Sequence, residues 1–345
     1  MSSHPAKKFK NPRANYNFEG RTCSISGVGS YVPERVVTNA DLEKMVDTTD
    51  EWITTRTGIK ARRVAAADEF TSDMATHAAT RAMKKAGIKP EQIDLIIVAT
   101  ITPDMPFPST ACLVQRKIGA YRAAAFDIEA ACSGFIFGLE IGQQFIMSRT
   151  YNVVLVIGAE KLSSIVNWTD RNTCVLFGDG AGAAILQNRP DSHGLLTACM
   201  GADGRKGDLL SMPGGGSRCP ATAASVGAGL HFLRMDGKET FKSAVQAMHT
   251  AATEALSRCE IDISQIKCII PHQANLRIID AVSERLGAKP EQVFINLDRY
   301  GNTSAASVAI ALDEAVESKR IHRGDLILMV VFGAGLTWGA AVIEW

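Results

Sequence analysis

Four stretches of the chain are apolar with almost no polar alternation: residues 93–98, 153–158, 266–270 and 326–331. A strand of this kind is buried on both faces, which is the signature of a sheet covered by helices on each side. The stretches come in two pairs. Residues 93 and 266 open the first pair and residues 153 and 326 the second, so both pairs share an offset of 173. Each later member follows a long helical segment and a short polar turn, so a tandem duplication is expected. Between the paired strands lie residues 134–141 (Gly-Phe-Ile-Phe-Gly-Leu-Glu-Ile) and 305–312 (Ala-Ala-Ser-Val-Ala-Ile-Ala-Leu). A helix with no polar stripe has to be buried. One such helix from each half, placed between two sheets, satisfies both. The expectation is an α/β protein with five layers, α/β/α/β/α, built from two pseudo-repeated halves. A basic tail over residues 1–20, a first half over 21–195 and a second over 196–345 are the expected units.

Composition narrows the class without changing this picture. The chain has 345 residues, 46% hydrophobic and 21% charged, with a formal net charge of +1. That excludes a disordered chain and a small stapled scaffold, and gives no sign of the basic stripe that a nucleic-acid partner requires. Apolar runs end well short of the ~20 residues needed to cross a bilayer. The first twenty residues carry Lys7, Lys8, Lys10 and Arg13 without the apolar stretch of a secretory signal, and read as a solvated tail. Eight cysteines at scattered spacing form no C-x-x-C pair, so reduced thiols and a cytoplasmic location are expected. No His/Cys/Asp cluster has metal-ligand spacing, and no metal is expected.

Three residues at strand ends carry candidate chemistry. Cys132, in Ala130-Ala131-Cys132-Ser133-Gly134, opens the first apolar helix. The free N–H groups and partial positive charge of a helix start are expected to lower its thiol pKa. Taken alone, a cysteine here is as well explained as a small buried hydrophobe. His272 follows the strand 268–270 and Pro271 at a strand's carboxyl end, where open α/β sheets assemble sites. Asn302, in Gly301-Asn302-Thr303-Ser304, follows an expected strand at 293–297 and precedes the second apolar helix, where an N-cap role is also open. By the duplication it lies close to the pseudo-equivalent of Cys132. The small residues of Phe332-Gly333-Ala334-Gly335 let backbone N–H groups approach a ligand, or make a plain turn. Gly178-Asp179-Gly180-Ala181-Gly182 is a weak match to a dinucleotide loop, because a strand and not a helix is expected after it.

With these three residues in their contexts, the sequence resembles the thiolase-like condensing enzymes. Within them it is most similar to the β-ketoacyl-acyl-carrier-protein synthase III family, which initiates type II fatty acid synthesis. The resemblance runs from about residue 21 to Trp345. It rests on Thr49-Asp50-Glu51-Trp52-Ile53 leading into Arg56-Thr57-Gly58-Ile59, Ala131 to Gly134, Phe177 to Gly182, Pro271 to Arg277, Gly301 to Ser307 and Thr337-Trp338-Gly339. It implies a thiolase-like fold and a two-step reaction. Acyl-CoA, with acetyl-CoA the expected primer, acylates Cys132. Malonyl-acyl-carrier protein then decarboxylates at His272 and Asn302 and condenses to 3-oxoacyl-carrier protein, with backbone N–H groups of Cys132 and Ala334 as the oxyanion hole.

The resemblance further implies that Trp52, Arg56 and Arg171 take the adenine end of coenzyme A and Asn275 its pantetheine arm. Lys242, Arg277 and the segment Gln273, Ala274, Asn275 and Leu276 would dock the acidic carrier protein. Phe107 would reach across a homodimer into the neighbouring acyl pocket. Coenzyme A enters as a substrate, and no cofactor is implied. Ala334 stands where the family often has glycine, which is harmless if φ there is not positive, and Glu284 stands where a second basic residue is frequent. Other readings remain open: a related acyl-CoA-primed ketosynthase or acyltransferase of secondary metabolism, a thioester hydrolase, or a non-catalytic scaffold.

Overall fold

A computed structural model describes residues 22–189 and 194–345; the expected tail at 1–20 lies outside them. The first half forms a sheet from β1 (Cys23–Tyr31), β2 (Leu95–Ala99), β3 (Ala124–Ile128), β4 (Val153–Glu160) and β5 (Gly180–Asn188), in the order β1-β5-β4-β2-β3. The second half forms a sheet from β6 (Leu195–Ala202), β7 (Cys268–Pro271), β8 (Leu326–Gly333) and β9 (Thr337–Glu344), in the order β7-β8-β9-β6. In the first sheet β4, β2 and β3 run parallel and β5 pairs antiparallel with both β4 and β1; in the second β7 and β8 run parallel and β9 pairs antiparallel with both β8 and β6. The duplication extends to register: Leu95 pairs with Val154 and Cys268 with Ile327, each partner displaced by 173.

Side-chain alternation along the inner strands fixes the layers. Leu95 and Ile97 of β2 join a central core with Ile327, Met329 and Val331 of β8. Their neighbours point the other way, Ile96 and Val98 into one outer core and Leu328, Val330 and Phe332 into another. Helix α1 (Asp50–Thr57) is tied to Asn275 through its Arg56 carbonyl, while α2 (Thr71–Ala86) and α3 (Thr110–Ile118) cover the first sheet. Helix α4 (Gly134–Met147) fills the central layer, α5 (Gly237–Cys259) and α6 (Leu276–Leu286) cover the second sheet, and α7 (Ala306–Glu317) lies beside α4. The result is the expected five-layer arrangement.

Close packing in the middle layer depends on small residues. A Cβ added at Gly158 of β4 would lie 2.4 Å from the carbonyl oxygen of Ala305, so only glycine lets α7 begin this close to the sheet. The outer layer uses a stripe of Met74, Ala75, Ala78, Ala79 and Ala82, at helical spacing, to seat α2 on the first sheet. One expectation is corrected. Residues 293–297 do not form a strand: Val293 makes a single bridge to Ile269, Phe294 N–H donates to Ile269 O, and Leu297 already begins a short helix. The segment occupies the place in the second sheet that β3 holds in the first, but its backbone turns away after one rung.

The carboxyl ends of β3, β4, β7 and β8 converge on the seam between the halves. Cys132, Glu160, His272 and Gly333 stand at or just past those four ends.

Candidate active site

The chain between β3 and α4 turns sharply. Ala131 has φ +45°, a left-handed conformation uncommon for alanine, and Ala131–Ser133 makes a single tight turn before α4 begins at Gly134. Such a residue costs on the order of 1–3 kcal/mol and persists only where its surroundings hold it. Here the second half holds it: the Thr337 hydroxyl sits 3.0 Å from Ala130 O and 3.1 Å from Ser133 Oγ. Gly333 lies against the same turn, where a Cβ would be 2.7 Å from the Cys132 amide nitrogen. Ala334, next along, is half-buried and is not among the left-handed residues, so its alanine side chain does not strain the backbone.

His272 N–H donates to Val330 O (2.7 Å), extending the strand pairing by one rung and fixing the ring at the strand end. Its Nδ1 lies 2.7 Å from the hydroxyl of Ser307, in the first turn of α7. Burial holds its pKa down at about 4, so the imidazole is neutral at neutral pH. Asn302 is not a helix cap, since α7 begins only at Ala306. Its backbone is pinned to the first half, with N–H to Leu176 O (2.8 Å) and its carbonyl accepting from Gly178 N–H (3.0 Å). Its Oδ1 accepts from Ser304 N–H (2.8 Å), which leaves the carboxamide NH2 to face the cavity. The Gly178–Gly182 motif is thereby accounted for: its first glycine anchors Asn302, Asp179 accepts from Ala65 and Ser163, and Gly180 begins β5.

Cys132, His272 and Asn302 line one cavity with Phe177, Phe241, Met248 and Gly333. The structure therefore brings together three residues separated by up to 170 positions. The thiol itself departs from expectation. Burial, the largest effect, pushes Cys132 up to about 12; the Ser304 hydroxyl pulls it back and the charge of Glu160 pushes it further up. The desolvation of a nearly enclosed sulfur outweighs the favourable helix start.

At the cavity mouth, Arg56 and Arg171 place their guanidinium carbons 4.5 and 5.1 Å from the centroid of the Trp52 ring. The two exposed guanidinium groups thus flank a half-buried indole, with Arg171 also donating to Asp47 O (2.7 Å). Asn275 lines the cavity and caps α6, accepting from Arg277 N–H (2.9 Å) while its NH2 donates to Arg56 O (3.1 Å). Ala274 also lines the cavity, and Leu276 packs against Gly58. Arg277 is exposed beside Phe241, and exposed Lys242 pairs with Glu239 at 2.7 Å. Gln273 is a correction to the expected docking surface. It is 1% exposed, its NH2 donates to Pro271 and Phe294 carbonyls, and its oxygen accepts from Asn296 and Leu297, so it has no group to offer a partner. Phe107 is 84% exposed and lies outside the cavity lining of its own chain.

Sequence reasoning assigned no role to Ser304, Ser307, Thr337 or Glu160. The first three sit inside motifs already singled out. Glu160 had a signal of its own, a lone acid closing a fully apolar strand at its carboxyl end.

The family model described as 3-oxoacyl-[acyl-carrier-protein] synthase III matches residues 126–204, and that of its C-terminal domain matches residues 256–345. The chain is 59% identical, over 93% of its length and 97% of the relative's, to the β-ketoacyl-[acyl-carrier-protein] synthase III of Caldanaerobacter subterraneus subsp. tengcongensis. Among solved structures, it resembles 3-oxoacyl-[acyl-carrier-protein] synthase III of Aquifex aeolicus with a TM-score of 0.87 and 49% identity, covering 94% of this chain and all of that one. The synthase III of Thermus thermophilus matches with a TM-score of 0.88 and 48% identity, covering 93% and 99% of the two chains.

Proposed function

This chain belongs to the β-ketoacyl-[acyl-carrier-protein] synthase III family and is a condensing acyltransferase that initiates fatty acid synthesis, and we propose that Cys132, His272 and Asn302 carry its two half-reactions. The convergence of those three side chains on one cavity is the observation that supports this assignment.

In the first half-reaction Cys132 Sγ attacks the acyl-CoA thioester and coenzyme A leaves. Thioester exchange is nearly isoenergetic, so the acyl group stays activated on the enzyme. In the second, malonyl-acyl-carrier protein loses carbon dioxide and its thioester oxygen gains enolate charge. A neutral imidazole whose Nδ1 accepts from Ser307 presents Nε2–H to that oxygen, and the Asn302 NH2 supplies a second donor. Neither donor ionises at working pH, so neither surrenders its proton to the enolate. The carbanion then attacks the acyl thioester, and the tetrahedral oxyanion falls to the backbone N–H groups of Cys132 and Ala334. One such donor contributes about 3 kcal/mol to a transition state.

Acetyl-CoA is the proposed primer, with its adenine laid on the Trp52, Arg56 and Arg171 stack, where guanidinium planes and an indole offer sequence-independent stacking for a purine. The carrier protein's acidic surface would meet Arg277 and Lys242 beside Ala274, Asn275 and Leu276, a salt-screened encounter. The assembly proposed is a homodimer. Phe107, 84% exposed, and Tyr121, 73% exposed, stand near β3, the edge strand of the first sheet, and a second copy would cover them. No helix of the described residues is long and apolar enough to cross a membrane, which fits the cytoplasmic location proposed.

Intact-mass analysis after exposure to acetyl-, propionyl- and branched acyl-CoAs, with peptide mapping of the adduct, tests this reading. A single acyl group on the peptide containing Cys132, absent from C132S, is expected. An adduct elsewhere, or none with any acyl-CoA, would remove the assignment.

A further inference from the structure

Glu160 closes β4 at the base of the site, fully buried, and has no part in the steps above. Its carboxylate gathers donors from two loops. Oε2 accepts from the hydroxyls of Thr102 (2.6 Å) and Thr100 (3.2 Å) and from Ile101 N–H (3.1 Å), and Oε1 accepts from the Ser304 hydroxyl (3.0 Å). Ser304 belongs to the other half of the chain. It is 1% exposed, has φ +48°, and its N–H holds Asn302 Oδ1. Its turn abuts that of Cys132, since a Cβ added at Gly134 would lie 3.5 Å from the Ala305 Cβ, and the Ser304 hydroxyl lowers the Cys132 pKa while the charge of Glu160 raises it. One hydroxyl thus bonds to a buried acid in the turn that neighbours a buried thiol.

Burial makes the isolated ionisation of Cys132 costly, because it would place a thiolate in a dry site beside an existing carboxylate. An internal proton transfer avoids that, since Sγ–H with carboxylate and Sγ⁻ with carboxylic acid carry the same total charge. Ser304 suits the transfer because a hydroxyl donates one proton and accepts another. While Glu160 is ionised, Ser304 donates to it and presents a lone pair to the thiol; once Glu160 is protonated, Ser304 can donate to the thiolate.

We propose that Cys132, Ser304 and Glu160 form a proton relay in which the thiol proton passes to Ser304 Oγ as the Ser304 proton passes to Glu160 Oε1. The proposal rests on Cys132 being the nucleophile. Protons balance over the cycle. As Sγ bonds to the acyl carbon, its proton moves to Glu160, and the departing coenzyme A thiolate takes one from solvent at the cavity mouth. When condensation breaks the Sγ–acyl bond, Glu160 returns its proton through Ser304 to the Cys132 thiolate. The one proton consumed per turnover is the one coenzyme A carries away, and carbon dioxide departs leaving the electron pair of the broken C–C bond in the enolate, which places it in the new C–C bond.

The pH profile of Cys132 alkylation by iodoacetamide, read by mass on the intact full chain, tests the relay apart from the nucleophile assignment. The titrating groups facing the sulfur are Glu160, raised by burial to about 7, and His272 across the cavity, held near 4. The wild-type rate should show a step near pH 7 to a plateau, as the pair loses its first proton, and a second rise at high pH. In E160Q, and separately in S304A, the step should vanish and leave only the high-pH limb. Acetyl transfer from acetyl-CoA in a single turnover at pH 7 should fall about 100-fold in both, with the double variant no slower than either. Circular dichroism establishes that each variant is folded; S304A carries the test if E160Q is not. A step that persists in the folded variants, or one that survives E160Q and disappears in H272A, would overturn the relay. Acyl transfer to a residue other than Cys132 would instead overturn the nucleophile assignment.

Discussion

The Cys132 turn and its counterpart in the second half share a left-handed backbone residue and, in the proposed mechanism, have opposite duties. Ala131 and Ser304 are 173 residues apart and both left-handed, at φ +45° and +48°. Each precedes a buried helix of the central layer. The residue that follows is Cys132 in the first half and Ala305 in the second. The first turn is lined by Ala130, Ala131 and Ser133 and exposes one reactive atom. The second surrounds a silent Ala305 with Asn302, Ser304 and Ser307, and sends all three polar groups toward the chemistry. Duplication supplied two strained turns at one seam. In the proposed mechanism one is the site of attack and the other its support.

Removing the attacking atom should have the largest effect. C132A is expected to lower acyl transfer from acetyl-CoA by about 10⁴-fold or more, measured as coenzyme A release. Moving the sulfur to the other turn should not restore it. The C132A/A305C chain should stay below about 1% of wild type, because the Ala305 Cβ points toward Gly134, where an added Cβ would lie 3.5 Å from it, and is not part of the cavity lining. Recovery of normal turnover would show the two turns to be interchangeable.

The seam itself can be loosened. G158A puts a methyl group where a Cβ lies 2.4 Å from Ala305 O, and denaturant melts should show a loss of about 1–3 kcal/mol. S307A removes the partner of His272 Nδ1. We expect about a 10-fold drop in condensation with acylation nearly unchanged, a split that general destabilisation would not produce. The smallest expected effect is on stability against pH. His272 has a folded pKa of about 4, below its ordinary value of 6.5, so its contribution is complete above pH 6.5 and is lost as pH falls through 4. H272Q should flatten that part of the stability curve, observed by chemical melts between pH 4 and 7.

The fold was largely legible in the chain, for a physical reason. Strands buried on both faces must be apolar throughout, so the offset of 173 between residues 93 and 266 and between 153 and 326 survives as a visible pattern and reappears in the register of Leu95–Val154 and Cys268–Ile327. An edge segment carries no such demand. Residues 293–297 have strand-like composition but pair through Val293 alone, because neighbouring turns decide where the backbone goes. Among site residues, Cys132, His272 and Asn302 stand out through their positions at strand ends and helix starts. Gln273 shares the same motif, yet its amide is consumed inside the fold, which no spacing reveals. Glu160 was hidden differently: its proposed role depends on Ser304, 144 residues away, and on a burial that also reversed the expected shift of the thiol.

The division of labour between the halves is tested most directly by timing both half-reactions in one variant. In H272A, with N302A beside it, acetyl transfer to Cys132 should stay within about threefold of wild type while release of carbon dioxide from malonyl-carrier protein falls by about 100-fold or more. Equal losses in the two half-reactions would contradict the account.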